Sequence, residues 1–295
     1  METLLQAIIS GLVFGAIYAI MTMGLTLVYG CLRTLNMAQG AFGMVGGYAA
    51  WVLASRAGAP PLVGLVAGAV AAAGIGILTH FISVKPLVGR KDIDFEMTAY
   101  ISTLVVAIML SASIILLFGA RNKAIDPLVE GRLQIFGTVS VSWQQVAVAV
   151  VALVCLGGLS LLLNRSRQGL SIMAVAQQFD AARLMGVPAG RVYWVTMALA
   201  GMLGGIAGVL LAPLYFVSPS AGDLPILKGL TVAIVAGLGS IRGTIYAAFI
   251  IGLIEALVAT YVGSLWALPV LFSLIVVFMI VRPYGLFGKP EEERL

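Results

Sequence analysis

Residues 164–194 read NRSRQGLSIMAVAQQFDAARLMGVPAGRVYW. This is the longest clearly polar interval in the chain, and Arg165, Arg167, Arg183 and Arg191 stand within it. Apolar runs of bilayer-crossing length flank it on both sides. Of the 295 residues, 61% are hydrophobic and 10% are charged. Soluble globular proteins carry about 25% charged residues, so this chain is built for lipid. Runs of roughly 20 apolar residues recur from end to end, each long enough to cross a hydrocarbon core about 30 Å thick. The 35 glycines suit close helix packing in a membrane. No interval is long enough for a separate soluble core. The expected architecture is all-α: one polytopic transmembrane domain, residues 1–295, with a cytoplasmic loop at 164–193.

Apolar segments fall at about 4–29, 37–53, 62–84, 98–118, 143–163, 194–216, 226–238 and 244–261, with a last one ending at Arg282-Pro283. The interval 119–142 has turn formers and alternation (LQIFGTVSVSW) and is expected to hold a short hairpin. The first segment lacks the basic flank of a cleaved signal peptide and runs past its usual length, so it reads as a span. With the organising loop inside and each segment crossing once, twelve of the 17 lysines and arginines lie on the cytoplasmic side. That bias fits the positive-inside rule and explains the net charge of +5 without nucleic acid. It places the N-terminus outside and the C-terminus inside, with nine crossings. If 37–53 or 226–238 is re-entrant, the count is eight or fewer.

Those two segments are short or interrupted by glycine. QGAFGMVGGYAAWV in the first half and GLGSIRGTIYAAFI in the second share a loose echo, a Y-A-A triplet shortly after glycine. Such pairs in transporters point to discontinuous helices near the midplane, beside a substrate path. Plain glycine packing between helices is the alternative.

Several chemistries are missing. There is no GxxxxGK[ST] phosphate loop, so ATP is not bound that way. The single histidine, His80, lies near the inner end of the third apolar run, where a snorkelling interfacial histidine is expected. Cys31 and Cys155 form no metal or redox pattern and read as small buried hydrophobes. Glu255 is the one acid deep in an apolar run. Intramembrane acids are functional candidates by default, but a place near the outer interface or a hydrogen bond to a neighbouring helix would also account for it. Nothing here assembles an enzyme.

Within the loop, residues 179–188 (FDAARLMGVP) read as a short helix with a stop. Asp180 suits the positive end of the helix dipole, and Arg183 can pair with it one turn on. Gly186 and Pro188 are C-terminal punctuation. Phe179, Leu184 and Met185 are expected to leave apolar knobs on a polar element. About two turns of helix are not stable alone, so a partner groove is expected to hold them; packing on the membrane surface is the other reading.

Three passages then resemble one family, the membrane permeases of the branched-chain amino acid ABC transporters, LivH type. They are residues 4–51, with GLTLVYG leading into NMAQG; residues 168–211, with AVAQQFDAARLMGV; and residues 228–257, with AGLGSIRG. The resemblance implies a machine of several chains. A second homologous permease, two cytosolic ATPases carrying ATP and magnesium, and a periplasmic solute-binding protein would complete it in the bacterial inner membrane. It implies a coupling helix at Gln178, Phe179, Asp180, Ala181, Ala182, Arg183, Leu184, Met185 and Gly186. It also implies a broken second helix starting near Asn36, Gln39 and Gly40. Met37 and Gln39 stand where the family often has Phe and His, and Ser171 and Ile172 replace a more basic pair. The first departure leaves the solute open among branched-chain amino acids, urea, short amides and aromatic or other organic acids.

The combined expectation is an importer subunit of eight to nine spans with broken or re-entrant segments, working by alternating access. No cofactor is expected in this chain, and lipid rather than nucleic acid surrounds it. The expected path residues are Asn36, Gln39, Gly40, Gly237, Gly239, Ser240 and Glu255. An autonomous channel or ion-coupled carrier is the alternative.

Overall fold

The computed structural model describes residues 2–90, 94–135, 139–282 and 285–288. Its helices are α1 (Glu2–Leu32), α2 (Gln39–Ala57), α3 (Pro61–Thr79), α4 (Phe95–Phe118), α5 (Trp143–Arg165), α6 (Arg167–Gln177) and α7 (Phe179–Leu184), followed by α8 (Ala189–Tyr215), α9 (Asp223–Ala236), α10 (Ile241–Tyr261) and α11 (Ser264–Val281). Among the described residues, seven helices are long and apolar enough to cross a membrane: α1, α3 with its extension to Val84, α4, α5, α8, α10 and α11. The two remaining embedded helices are the two weak segments, α2 and α9. The apolar segment at 244–261 is part of a full 21-residue span, α10, because Ser240 caps it and Ile241 extends it by a turn.

Two helices form the centre. The span window of α8 is 78% buried and that of α1 56%, against 11% for α4 and for α11. α8 packs on α3, α2 and α1, and α1 packs on α10, α8 and α9. Glycine sets these distances. A methyl at Gly252 of α10 would meet the backbone of Gly11 and Gly15 of α1, and one at Gly208 of α8 would strike the backbone of Gly43 of α2. In lipid there is no water to drive helices together, so close backbone approach supplies the packing attraction instead. Buried threonines add polar links: Thr26 and Thr244 share a 2.7 Å hydrogen bond between α1 and α10, and Thr22 donates to the Gly229 carbonyl at 3.3 Å.

The hairpin expected outside is present. β1 (Arg132–Ile135) pairs antiparallel with β2 (Val139–Ser142) in the register Arg132↔Ser142 and Leu133↔Val141; residues 136–138 of its turn lie outside the described residues. Ser142 then closes a capping box at the start of α5, accepting from Gln144 N–H while Gln145 accepts from Ser142 N–H. Gln6 near the start of α1 reaches the Ser140 carbonyl, so the hairpin lies at that end of α1. The far end of α1 meets α6, where the Cys31 thiol donates to the Ile172 carbonyl at 3.7 Å.

His80 departs from expectation. It is 4% exposed, with no snorkelling head. It opens a π-helical turn, His80–Val84, closed by Lys85 N–H donating to the His80 carbonyl at 2.8 Å. The imidazole turns inward and stands edge-on to Phe81.

Candidate translocation cavity and docking element

α1 runs on to Leu32, yet α2 starts well short of that depth. The Gln39 side-chain amide donates to the carbonyls of Met21 in α1 (3.3 Å) and Ala200 in α8 (3.0 Å). Met21 lies eleven residues before Leu32, roughly 16 Å at helical rise. Residues 33–38 therefore climb back into the bundle before α2 begins. Arg33 begins that reversal with φ +57°, and Asn36 steadies it by accepting from Ala38 N–H at 3.1 Å. On the other side, residues 216–222 descend from the end of α8 to the start of α9. Val217 pairs with Lys123 there in an isolated antiparallel bridge. The two starts meet at Gly40 and Gly222, each of whose carbonyls fills the space beside the other.

Two cavities flank this meeting point, and Gly40, Met44 and Gly222 belong to both. One, of about 230 Å³, lies among α1, α2, α8, α9 and the 216–222 segment. The other, of about 280 Å³, lies between α2, α4 and the start of α9. Their walls are mainly apolar.

The charged residue in the lining of the first cavity, Lys228, belongs to a buried polar cluster. The Lys228 ammonium of α9 pairs with Glu255 Oε1 of α10 at 2.5 Å, and the Tyr18 hydroxyl of α1 donates to Glu255 Oε2 at 2.8 Å. Lys228 also donates to the Tyr18 hydroxyl at 3.0 Å. The hydrogen bond to a neighbouring helix offered for Glu255 is present through Tyr18. Its ion-pair partner is not indicated by the sequence: Lys228, 27 positions away in the chain, is brought onto it because α9 and α10 pack side by side. No local spacing signals that pair, although a lysine in one short apolar segment and an acid in the next was the available clue.

The other expected path residues separate. Gly40 lines both cavities. Gln39 and Asn36 are wholly buried, Gln39 bridging three helices and Asn36 shaping the turn. Gly237 and Gly239 both have positive φ, +91° and +85°, and make the tight link between α9 and α10. Ser240 caps α10 by accepting from Gly243 N–H at 3.2 Å. None of these four link and turn residues, Asn36, Gly237, Gly239 and Ser240, nor Gln39, lines either cavity.

Below the bundle, α6 and α7 form a bent element. Ser166 caps α6 through Gly169 N–H at 2.9 Å, and Gln178 breaks the helix with φ −154°. α7 has Asp180 in its first turn and Arg183 in its last, the order the helix dipole favours. It ends in a Schellman motif: Val187 N–H donates to Ala182, Gly186 N–H donates to Arg183, and Gly186 has φ +83°. Leu184 and Met185 are 88% and 84% exposed. Phe179 differs from the expectation of a free knob. It stacks on Tyr193 of α8 at 6.2 Å and 7°, with the Arg183 guanidinium 5.5 Å from its ring centroid. Phe179 is thus the base that ties α7 to α8, and Leu184 and Met185 are the projecting pair.

The family described as branched-chain amino acid transport system, permease component, matches residues 7–281. The chain is 30% identical to the high-affinity branched-chain amino acid transport permease BraD of Pseudomonas aeruginosa, covering 99% of this chain and 98% of that one. It is 27% identical to LivH of Escherichia coli K12, covering 99% and 97%, and 28% identical to a probable LivH of Methanocaldococcus jannaschii, covering 94% and 90%. The chain belongs to this permease family. It is a multi-pass membrane permease component rather than an enzyme. The match extends from α1 into α11. The family comparison supports the importer reading and not an autonomous channel or carrier.

Proposed function

We propose that this permease is the membrane-spanning subunit of an ATP-driven importer for a small amphipathic solute, a branched-chain amino acid or a close relative. It pairs with a second homologous permease across the path. Two cytosolic ATPases supply ATP and magnesium, and a periplasmic protein delivers the solute. The N-terminus lies outside the bacterial inner membrane and the C-terminus in the cytoplasm. Closure of the ATPase pair pushes the Gln178–Gly186 element, and the α8 stalk it is stacked on carries that motion to the cavity wall.

One observation carries this reading. A six-residue helix, too short to persist alone, is stacked on the central helix by Phe179 while it presents Leu184 and Met185 almost fully to solvent. That is the form of a helix seated in a partner's groove. The names of the full-length relatives support the solute class. The test is co-purification of the ATPases and solute-stimulated hydrolysis for Leu184→Asp with Met185→Asp. Loss of both, with the permease still folded, is expected. Intact attachment and stimulated hydrolysis would sink the proposal.

A further inference from the structure

Lys228 and Tyr18 line the first cavity, and Glu255 stands directly behind them. The ion pair is largely buried, its side chains 13% and 8% exposed. A buried pair is a poor device for stability, since a well-packed apolar pair serves as well or better. Its position on the cavity wall calls for another use.

We propose that Lys228 is the carboxylate-recognition residue of the translocation cavity, held in place by Glu255 and Tyr18. An ammonium has three N–H donors. Two are taken by Glu255 and Tyr18. The third has no acceptor among the described residues, and the side chain borders open space. Lys228 lines the cavity and Glu255, engaged through both oxygens, stands behind it, so the cluster turns a donor rather than an acceptor to the cavity. A solute carboxylate can take that donor without breaking the existing pair.

The rest of the wall fits an aliphatic tail. Met21, Met44 and Leu211 give apolar surface. At about 230 Å³ the space is small, below the ~300–1,000 Å³ of drug-sized pockets. The expected ligand has a carboxylate and a short branched hydrocarbon; a neutral amide or a simple amine lacks the group that Lys228 holds. This deepens the importer reading and rests on it.

The test is equilibrium dialysis of tritiated L-leucine against the purified permease–ATPase complex without the solute-binding protein. The competitors are 4-methylvalerate, which keeps the carboxylate, and isoamylamine, which keeps only the ammonium. 4-Methylvalerate should displace leucine roughly tenfold more effectively or better, as expected for a charge-assisted hydrogen bond. Lys228→Met combined with Glu255→Leu removes both charges without leaving one buried and unpaired. It should weaken leucine binding by a similar factor while ATPase attachment and unfolding temperature hold. Equal displacement by the two competitors, unchanged binding in the double variant, no binding to the unmodified complex, or loss of binding together with assembly each overturns the proposal. ATP-driven leucine uptake by the full assembly in proteoliposomes is read separately. Uptake without cavity binding removes this inference alone, whereas an unmodified assembly that takes up nothing removes the importer reading as well.

Discussion

Gly40 and Gly222 meet back to back, and the carbonyl oxygen of each occupies the place a side chain on the other would need. They begin two separate helices, α2 and α9, inside the bundle. Broken helices are tolerated at this depth only where protein or a cavity meets the freed backbone, and here both do. Any rearrangement that separates α2 from α9 must part this contact, and any side chain here must force it apart.

Gly40→Val and Gly222→Val should therefore each destabilise the fold by about 1–3 kcal/mol, the usual cost of overpacking. Thermal unfolding in detergent reads the effect directly. Unchanged melting for both would mean that the two starts do not touch in the membrane.

A paired comparison separates packing glycines from idle ones. A methyl at Gly208 would strike the backbone of Gly43, whereas one at Gly74 meets nothing within 4 Å. Gly208→Ala should lower the unfolding temperature by several degrees, and Gly74→Ala should leave it level or raise it slightly, since alanine favours the helix by about 0.5–1 kcal/mol. Equal effects at the two sites would contradict the α2–α8 contact.

Much of this was legible in the sequence, for reasons that differ by residue. Apolar length announced the spans, because hydrocarbon thickness is fixed. The α7 stop was readable because Gly186 and Pro188 act locally. The Lys228–Glu255 pair was not, since it depends on how α9 and α10 lie together rather than on spacing. Phe179 misled for the same reason: a phenylalanine on a polar helix looks free until Tyr193 of another helix is placed beside it. His80 reads as interfacial in the sequence because a π-helical turn, which redirects a side chain, leaves no composition signal.

Gln39 lets the two roles of a buried amide be told apart. Its Nε2 donors tie α2 to α1 and α8, while its Oε1 finds no partner among the described residues. Gln39→Leu forfeits the two links, each worth about 1 kcal/mol, but also removes the orphaned acceptor. Stability should fall by about 1–2 kcal/mol or less, with the KM for uptake unchanged. A large KM change at constant stability would make Gln39 a solute contact rather than a clamp.

The foot of the docking element offers a further contrast. Phe179→Ala removes the stack on Tyr193 and the Arg183 contact over its ring, each worth about 0.5–1.5 kcal/mol. It should loosen α7 on α8, seen as faster proteolysis between α6 and α8. Leu184→Ala, at an 88% exposed site, should leave proteolysis unchanged and weaken only ATPase attachment. Faster cleavage in both variants would show that Leu184 packs on the permease itself.

Orientation can be tested with the ends of α1 as the ruler. Its start lies by the hairpin, through Gln6 and Ser140, and its end lies by α6, through Cys31 and Ile172. The hairpin and the α6–α7 element therefore sit on opposite faces whichever way the chain is inserted. Charge picks the direction: Arg165, Arg167, Arg183 and Arg191 gather on the α6–α7 side, and positive residues are retained in the cytoplasm during insertion. In a background with Cys31 and Cys155 replaced by serine, and with the permease expressed without its ATPases, Leu184→Cys should react with a membrane-impermeant maleimide only in inside-out vesicles. Val262→Cys, 62% exposed at the turn between α10 and α11, should react only in right-side-out ones. The reverse pattern would put α7 beyond the reach of any cytosolic ATPase and remove the drive for transport along with it.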